Sequence, residues 1–536
     1  MFTPTADRRS LLDRAHRGDI EGAFGRLAAV DTGPRRSRAR RLAALAAIVG
    51  PGVIVMVADN DAGGVSVYAQ AGQDHGLALA WLIVLLAPVL FVNQEMVARL
   101  GAVTGAGHAR LIFERFGRRW GRFAVGDLLV LNLLTIVTEL IGAALAVSYF
   151  GISRYVSVPV AAVGLIAATS TGSFRRWERT MCVLIALNLL VVPLIVMAHP
   201  RPSVVAHGLA PVLGGGLSGQ LVLFVIAMVG TTVAPWQLFL QQSSVIDKRI
   251  TARWLSYERV DTLIGTVLFA VVAIAVLGCC ALAFDTTAWH GSFVDAAQTA
   301  RGLQARLGTP AGALFALVLL NASVLGAGVV ALSGSYAIGD VLGVKHSLHR
   351  GFDDARAFHG SFAGLIALAV LMVLVPGAPL GLLTTLVQAL AGVLLPSATV
   401  FLLLLCNDRA VLGPWVNPRW LNAAASIVVG ILVVLSALLT TSTLAPGVDL
   451  VKVALALGLV LVVVLVGLAV AHSRGHSERE GPAMTPWEAR TWTMPRLETL
   501  PPPRACRERT IALVALRCYV LTAAALLVFK ALELVT

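Results

Sequence analysis

Along this chain, apolar and polar positions change over on a scale of about twenty residues rather than two or four. Apolar runs lie near 42–58, continuing to about 71, then near 77–99, 124–149, 156–170 and 181–198. A second set lies near 219–241, 262–284, 310–338, 359–376 and 380–405, followed by runs near 420–440 and 450–471 and a last one at 510–535. Each approaches the roughly 20 residues that a bilayer-spanning helix needs. Barrel strands would alternate apolar and polar residues, so continuous runs exclude a β-barrel. The pattern predicts an all-α polytopic membrane protein with about 12–13 transmembrane helices.

Two of the runs are interrupted from within. The first carries VADNDAGG at 57–64, which puts Asp59, Asn60 and Asp61 and then two glycines inside an apolar segment. The sixth carries VGTTVAPWQLFLQQSS, with Pro235 in mid-run beside Thr231, Thr232 and Gln237. Proline removes a backbone donor, and glycine tolerates unwound backbone. Unwound backbone at membrane depth has to line a cavity or be buried in protein. The breaks are five segments apart, at corresponding places in two five-helix sets, which is the signature of inverted repeats with a substrate site between two broken helices. The chain therefore divides into an arm at 1–41 and a core at 42–405 made of repeats 42–198 and 219–405. Two additional helices at 406–471, a polar linker at 472–509 and a possible last transmembrane helix at 510–536 complete it. Arg517 and Lys530 interrupt that last run, so an interfacial helix is the other reading of it.

Composition agrees with a membrane protein: 57% of the 536 residues are hydrophobic and 13% are charged. The net charge of +13 sits mainly in short loops and in the arm (PRRSRARR at 34–41). In a membrane protein this is a topology signal rather than a nucleic-acid surface. Arg110, Arg115, Arg118, Arg119 and Arg122 crowd one loop, Arg175, Arg176 and Arg179 another, Lys248, Arg249, Arg253 and Arg259 a third, and Lys345, Arg350 and Arg356 a fourth. The loops between them carry few basic residues, so the positive-inside rule predicts a cytoplasmic N-terminus in a bacterial-type plasma membrane. The arm reads as a retained cytoplasmic tail, solvated or lying on anionic lipid, and the 472–509 linker as a flexible cytoplasmic segment. The six cysteines show no paired metal spacing. His75, His108, His207, His290, His346, His349 and His359 fall singly in or near loops and read as solvated.

A carboxylate inside a membrane segment costs several kcal/mol unless it is paired, hydrated or neutralised. Asp61 is thus a candidate cation ligand or proton carrier, against a structural bond to the broken backbone. Asp59 and Asn60 can equally be helix-end caps. An enzyme using Asp59 and Asp61 as an acid–base pair is disfavoured, because residues two apart on a helix point to different faces and no nucleophile lies near.

The stretches GPGVIVMVADNDAGG, YAQAG and QEMVARLGAVTG resemble the first two helices of the Nramp family of divalent-metal transporters. TELIGAALAV resembles its third helix, APWQLFLQQSSV its broken sixth and LVQALAGVLLPSATVFLLLLCNDRAVLG its tenth, in the right order over residues 48–415. The resemblance implies a LeuT-type fold with the ion held between helices one and six. It also shows departures. Where the family has Asp-Pro-Gly-Asn, this chain keeps Asp61 but has Ala62 for Pro and Gly64 for the ligand Asn. Where the family has Met-Pro-His, it reads Ala234-Pro235-Trp236.

Without the thioether the remaining donors are oxygens, which suit Mg²⁺, Ca²⁺ and Mn²⁺. Truncation to Gly64 and Ala234 enlarges the site, and Mg²⁺ usually keeps several waters. The pattern is similar to the Nramp-related magnesium transporters. It implies that Asp61 binds hydrated Mg²⁺, with the carbonyls of Ala58 and Thr231 and the side chain of Gln388 as further donors. Asn60, Gly64, Thr232, Ala234, Trp236 and Gln237 would line the cavity. The family's proton path uses the His replaced by Trp236 and acids of the third helix. One of those acids is Ile136 here, leaving Glu139 as a possible remnant. The expected function is import of Mg²⁺, with Mn²⁺ also carried, by alternating access and without obligatory proton coupling. The alternatives are a proton-coupled Mn²⁺/Fe²⁺ importer and an organic-solute carrier. No enzyme activity and no cofactor are expected.

Overall fold

The structure, a computed structural model, describes residues 14–31, 33, 37–200, 219–285, 287–375, 380–444, 448–474, 485–501 and 513–519, with single positions 203, 208, 210 and 510. After a small hairpin, β1 (Ile20–Glu21) paired with β2 (Arg26–Leu27), every long element is a helix. The first part of the chain forms α1 (Arg38–Ile48), α2 (Pro51–Val57), α3 (Ala62–His75), α4 (Ala80–Thr104), α5 (His108–Phe116), α6 (Arg118–Ser148) and α7 (Arg154–Thr169). Next come α8 (Phe174–Leu187) running through a tight turn into α9 (Val191–Met197), then α10 (Gly219–Thr232), α11 (Pro235–Asp247) and α12 (Leu255–Phe284). The last are α13 (Ala296–Leu307), α14 (Thr309–Leu342), α15 (Arg356–Val373), α16 (Leu380–Cys406), α17 (Arg419–Leu444) and α18 (Leu450–Arg474).

Ten helices among the described residues are long and apolar enough to cross a bilayer. Helices α1 and α2 pass the same test together as one bent pair, and α7 is a shorter apolar helix. After the first, the expected segments up to residue 471 are each matched by a helix, with ends shifted by several residues. Most of the run at 510–535 lies outside the described residues. Helix α13, an amphipathic layer at the mouth of α14, carries no long apolar run and escapes a reading by hydropathy. The buried centre is built from α3, α6, α11, α12 and α14. Val160 and Val163 on α7 and Val460 and Val463 on α18 stay exposed, as lipid-facing side chains do.

The first segment differs from expectation. Instead of one helix from residue 42, α1 and α2 are separate and meet at 54°. Asp261 of α12 explains the break, accepting the N–H groups of Gly50 at 3.0 Å, Gly52 at 2.6 Å and Val53 at 3.2 Å. One carboxylate thus caps the start of α2 from another helix, and Gly52 is required because a Cβ there would lie 2.6 Å from the Thr262 nitrogen. Asp261→Ala leaves three buried donors unpaired and is expected to destabilise the protein by about 3 kcal/mol. A fall in the thermal midpoint in detergent checks it, with Asp261→Asn falling less.

Three readings of polar segments are corrected. Residues 14–31 of the arm are folded against the bundle rather than solvated, with Gly22 N bonded to Gly25 O at 2.9 Å and Arg249 donating to the Ala15 and Asp19 carbonyls. Residues 485–501 of the linker are docked: Trp415 Nε1 donates to Ala489 O at 2.8 Å and Met494 N to Val103 O at 3.2 Å. Four histidines are not solvated. His108 bonds Gln242 at 2.8 Å, His346 faces Asp340 at 3.1 Å, His349 bonds Asp247 O at 3.0 Å and His359 bonds Arg350 O at 3.0 Å. Gln242 and Asp247 are 134 and 102 positions from their histidines, whereas Asp340 and Arg350 are near in sequence, Asp340 at the end of α14. His207 lies outside the described residues.

Candidate metal site

The break in helix one is built by diverting amides. In an unbroken helix the N–H of Ala62 would close on the Ala58 carbonyl and that of Gly64 on the Asn60 carbonyl. Here Ala62 N donates to Glu139 Oε2 of α6 at 3.0 Å, and Gly64 N donates to Asp61 Oδ1 at 2.7 Å. Asp61 is therefore the N-cap of α3, in extended backbone. The carbonyls of Ala58 and Asn60 lose their helical donors to these two carboxylates.

Helix six opens by a different route. Between α10 and α11, Ala234 is extended at φ −99° and ψ 144°. Pro235 has no N–H, so the Thr231 carbonyl has no donor four residues on. The Thr231 hydroxyl is also buried without a hydrogen-bond partner among the described residues.

The two openings face one another at Gly64. A Cβ placed there would lie 2.8 Å from the Asp59 carbonyl oxygen, 3.0 Å from Thr231 Oγ1 and 3.4 Å from Asp61 Oδ1. Three oxygens from both broken helices thus surround one point. At Gly63 a Cβ would meet Gln388 Nε2 at 1.8 Å, so this glycine admits the carboxamide from α16 to the first turn of α3. That Nε2 is likewise buried and unpartnered. Gly326 and Gly142 complete the packing: Cβ atoms there would lie 2.3 Å from Glu139 Oε2 and 2.3 Å from the Ala62 Cβ. Small residues let α6 and α14 approach the break closely.

The structure therefore brings Asp61, Gly64, Thr231, Gln388 and Glu139 together, with the released Ala58 carbonyl in the same break. Thr231 offers a hydroxyl as well as the expected carbonyl. Asn60 is turned away, its amide donating to Phe269 O of α12 at 3.2 Å. The Thr232 hydroxyl is used by Met228 O at 2.8 Å and Tyr68 at 3.2 Å. Ala234 and Trp236 are buried beside the break, and the Trp236 carbonyl accepts from Ser333 at 2.8 Å. Gln237 donates to Asp59 Oδ1 and accepts from Gln94 Nε2 at 3.1 Å. Gln94 is thus a neighbour of the break that the sequence alone did not single out, and Asp59, read there as a possible helix-end cap, accepts from Gln237. The polar triplet Asn93-Gln94-Glu95 inside the apolar α4 was the available signal.

Chemically the region is acidic and oxygen-rich. Among the described residues no Lys or Arg pairs with Asp59, Asp61 or Glu139, and no three His, Cys, Asp or Glu side chains gather in metal-holding geometry. A cation here would meet one carboxylate, a hydroxyl, carbonyls and water.

Comparison with known proteins identifies the family. A family profile described as natural resistance-associated macrophage protein-like, Nramp, matches residues 52–442. The divalent metal cation transporter MntH 1 of Pseudomonas aeruginosa is 28% identical over 402 residues, covering 72% of this chain and 90% of that protein. MntH of Levilactobacillus brevis is 26% identical over 419 residues, 75% of this chain and 90% of its own. The crystal structure of the Eremococcus coleocola manganese transporter, in complex with an aromatic bis-isothiourea substituted compound, superposes with a TM-score of 0.63 at 20% identity. It covers 83% of this chain and 98% of its own, so the two share the LeuT-type fold. The relatives are transporters, not enzymes. The profile runs through both broken helices and over well more than half of the sequence, and this protein belongs to the Nramp family.

Proposed function

We propose that the protein imports divalent metal cations, Mg²⁺ foremost and Mn²⁺ with it, by alternating access through the break at Asp61, without obligatory proton coupling. The observation that carries the reading is the convergence of three oxygens from the two broken helices, the Asp59 carbonyl, the Thr231 hydroxyl and the Asp61 carboxylate, on the first turn of α3 at Gly64. One carboxylate with several neutral oxygens suits Mg²⁺, which prefers oxygen donors and usually keeps several of its waters. Ala234 offers no sulfur, which removes the preference for softer metals. That relatives of this chain are named divalent metal cation transporters supports the broader class. The arm would face the cytoplasm, in keeping with the basic loops on its side.

The absence of proton coupling rests on Trp236, which has no titratable group where the family has His, and on the role of Glu139. Its Oε2 is engaged by the Ala62 N–H, a structural task that shapes the break. A proton-coupled Mn²⁺/Fe²⁺ importer is the second reading, favoured by the closeness of Glu139 to Asp61. An organic-solute carrier, for amino acids, is disfavoured, since Asp61 itself caps the α3 N-terminus that would receive a substrate carboxylate.

Purified protein in liposomes holding a Mg²⁺ indicator and a pH dye separates these. The expected result is saturable Mg²⁺ entry, inhibited by external Mn²⁺, with no acidification of the lumen. If Mg²⁺ does not enter, the magnesium reading fails. If protons enter in proportion to the metal, the second reading replaces the first.

A further inference from the structure

An ion released from Asp61 toward the side of the arm has no open path, because Asp61 is 3% exposed and all seven residues of α2 are buried. Something on that side must move. Helix α2 is the element built for it: it is short, broken at both ends, and flanked by an apolar groove of about 140 Å³ lined by Phe24, Val53, Val57, Cys182, Ile185 and Leu268. Its hinge is the Val49–Gly50 turn after α1.

That turn is gripped. The buried ammonium of Lys248, at the end of α11, donates to the carbonyls of Ile48 at 2.7 Å and Val49 at 2.9 Å and to Glu178 Oε1 of α8 at 2.5 Å. The Glu178 carboxylate leaves no space at the hinge: a Cβ on Gly50 would lie 1.8 Å from its Oε1. Its other oxygen, Oε2, accepts the N–H of Ala23 at 2.5 Å, and Ala23 is the turn of the β1–β2 hairpin. The carboxylate therefore joins the hairpin to the hinge.

The hairpin is held by the same stretch of α11. Arg249 donates to Ala15 O at 3.0 and 2.9 Å and to Asp19 O at 2.8 Å. It does so in a left-handed backbone conformation, φ 66°, which is uncommon for a residue with a side chain. Arg179 Nε of α8 donates to Ala23 O at 3.2 Å. Within the hairpin the Ala29 N–H, followed by the side chain of Arg26, holds the Asp19 carboxyl below its ordinary pKa. Gly22 rests on α1, where a Cβ would come within 2.1 Å of the Ala47 carbonyl. Phe24, on the hairpin, lines the groove beside α2.

We infer that the N-terminal hairpin is a latch that keeps α2 closed over the ion site, acting through Glu178 and Lys248 on the hinge and through Phe24 on the groove into which α2 would swing. The inference rests on the alternating-access reading above. Releasing the hairpin shifts the resting protein toward an opening on the side of the arm.

The test reads α2 itself. Val55 is fully buried, and on a helix it points opposite to the groove-lining Val53 and Val57. A Val55→Cys thiol is therefore shielded while α2 is latched and reachable when α2 swings into the groove. N-ethylmaleimide labelling of this thiol, followed by mass spectrometry of its peptide, is compared in three proteins: a chain lacking residues 1–13, a chain lacking 1–33, and the full chain with Arg249→Ala. Loss of several hydrogen bonds predicts labelling about tenfold faster in the last two. Rates within twofold of the first protein overturn the latch. Arg249→Ala frees the hairpin without removing any of the chain, so it decides the matter even if the longer truncation fails to insert. Mn²⁺ uptake is measured on the same samples. Transport with unchanged labelling removes the latch and spares the transporter reading, whereas increased labelling in a chain that moves no divalent ion does the reverse.

Discussion

Asp61→Ala is expected to lower the initial rates of Mg²⁺ and Mn²⁺ uptake into proteoliposomes at least about a hundredfold, equivalent to roughly 2.7 kcal/mol at tenfold per 1.4 kcal/mol. Of the three atoms nearest the side-chain position of Gly64, the Asp61 carboxylate is the charged one, beside the Asp59 carbonyl and the Thr231 hydroxyl. Neutral oxygens and water cannot replace its attraction for a dication in a buried site, where the field of a single charge is weakly screened. The side chain also caps α3 through the Gly64 N–H at 2.7 Å, so alanine costs about 1 kcal/mol of stability as well. Asp61→Asn separates these roles. Its amide oxygen still caps the helix, so the thermal midpoint in detergent should return close to that of the unaltered protein while uptake stays lost. Normal transport by either variant would remove Asp61 from the ion path.

How far the sequence foretold this site depends on which part of it is considered. The broken helices were legible because their cause is local: glycines after Asp61, and a proline at 235, sit in runs that would otherwise be continuous. Asp61 was legible for the same reason, as a carboxylate in apolar surroundings. The bend between α1 and α2 was passed over although Gly50-Pro51-Gly52 marks it locally; what the sequence does not record is that Asp261, 211 positions away, caps it. The same holds for Asp59, whose fate is set by Gln237 and, behind it, Gln94. The arm was misread because a basic, polar stretch looks solvated when scored residue by residue. Its anchors, Glu178 and Arg249, lie in other segments. His108 shows the converse error: a lone polar residue near a loop is fully buried once Gln242 meets it. Hydropathy places helices well, whereas polar pairing across the bundle is a property of the folded chain.

Gly64 is where sequence and geometry add most to each other, and it sets the second large effect. The resemblance marks it as a lost asparagine. The structure sets the Asp59, Thr231 and Asp61 oxygens against it, the Asp59 carbonyl only 2.8 Å from where a Cβ would stand. Gly64→Asn, or Gly64→Ala as a control without a new donor, therefore crowds the oxygens offered to the hydrated ion. Mg²⁺ dehydrates reluctantly and should suffer most, with uptake falling at least about tenfold in each. Adding Ala234→Met to Gly64→Asn brings a thioether to the N-cap of α11. Sulfur favours transition metals over Mg²⁺. The double variant should therefore regain Mn²⁺ uptake without regaining Mg²⁺, raising the Mn²⁺-to-Mg²⁺ ratio of uptake rates about a hundredfold over the unaltered protein, roughly 2.7 kcal/mol of discrimination. Because the ratio is taken within one preparation, partial misfolding lowers both rates and leaves it unchanged. A ratio that does not move, in a double variant that still carries Mn²⁺, would mean that selectivity is set away from Gly64 and Ala234. The oxygens gathered at the break would then serve to satisfy its backbone rather than to choose the ion.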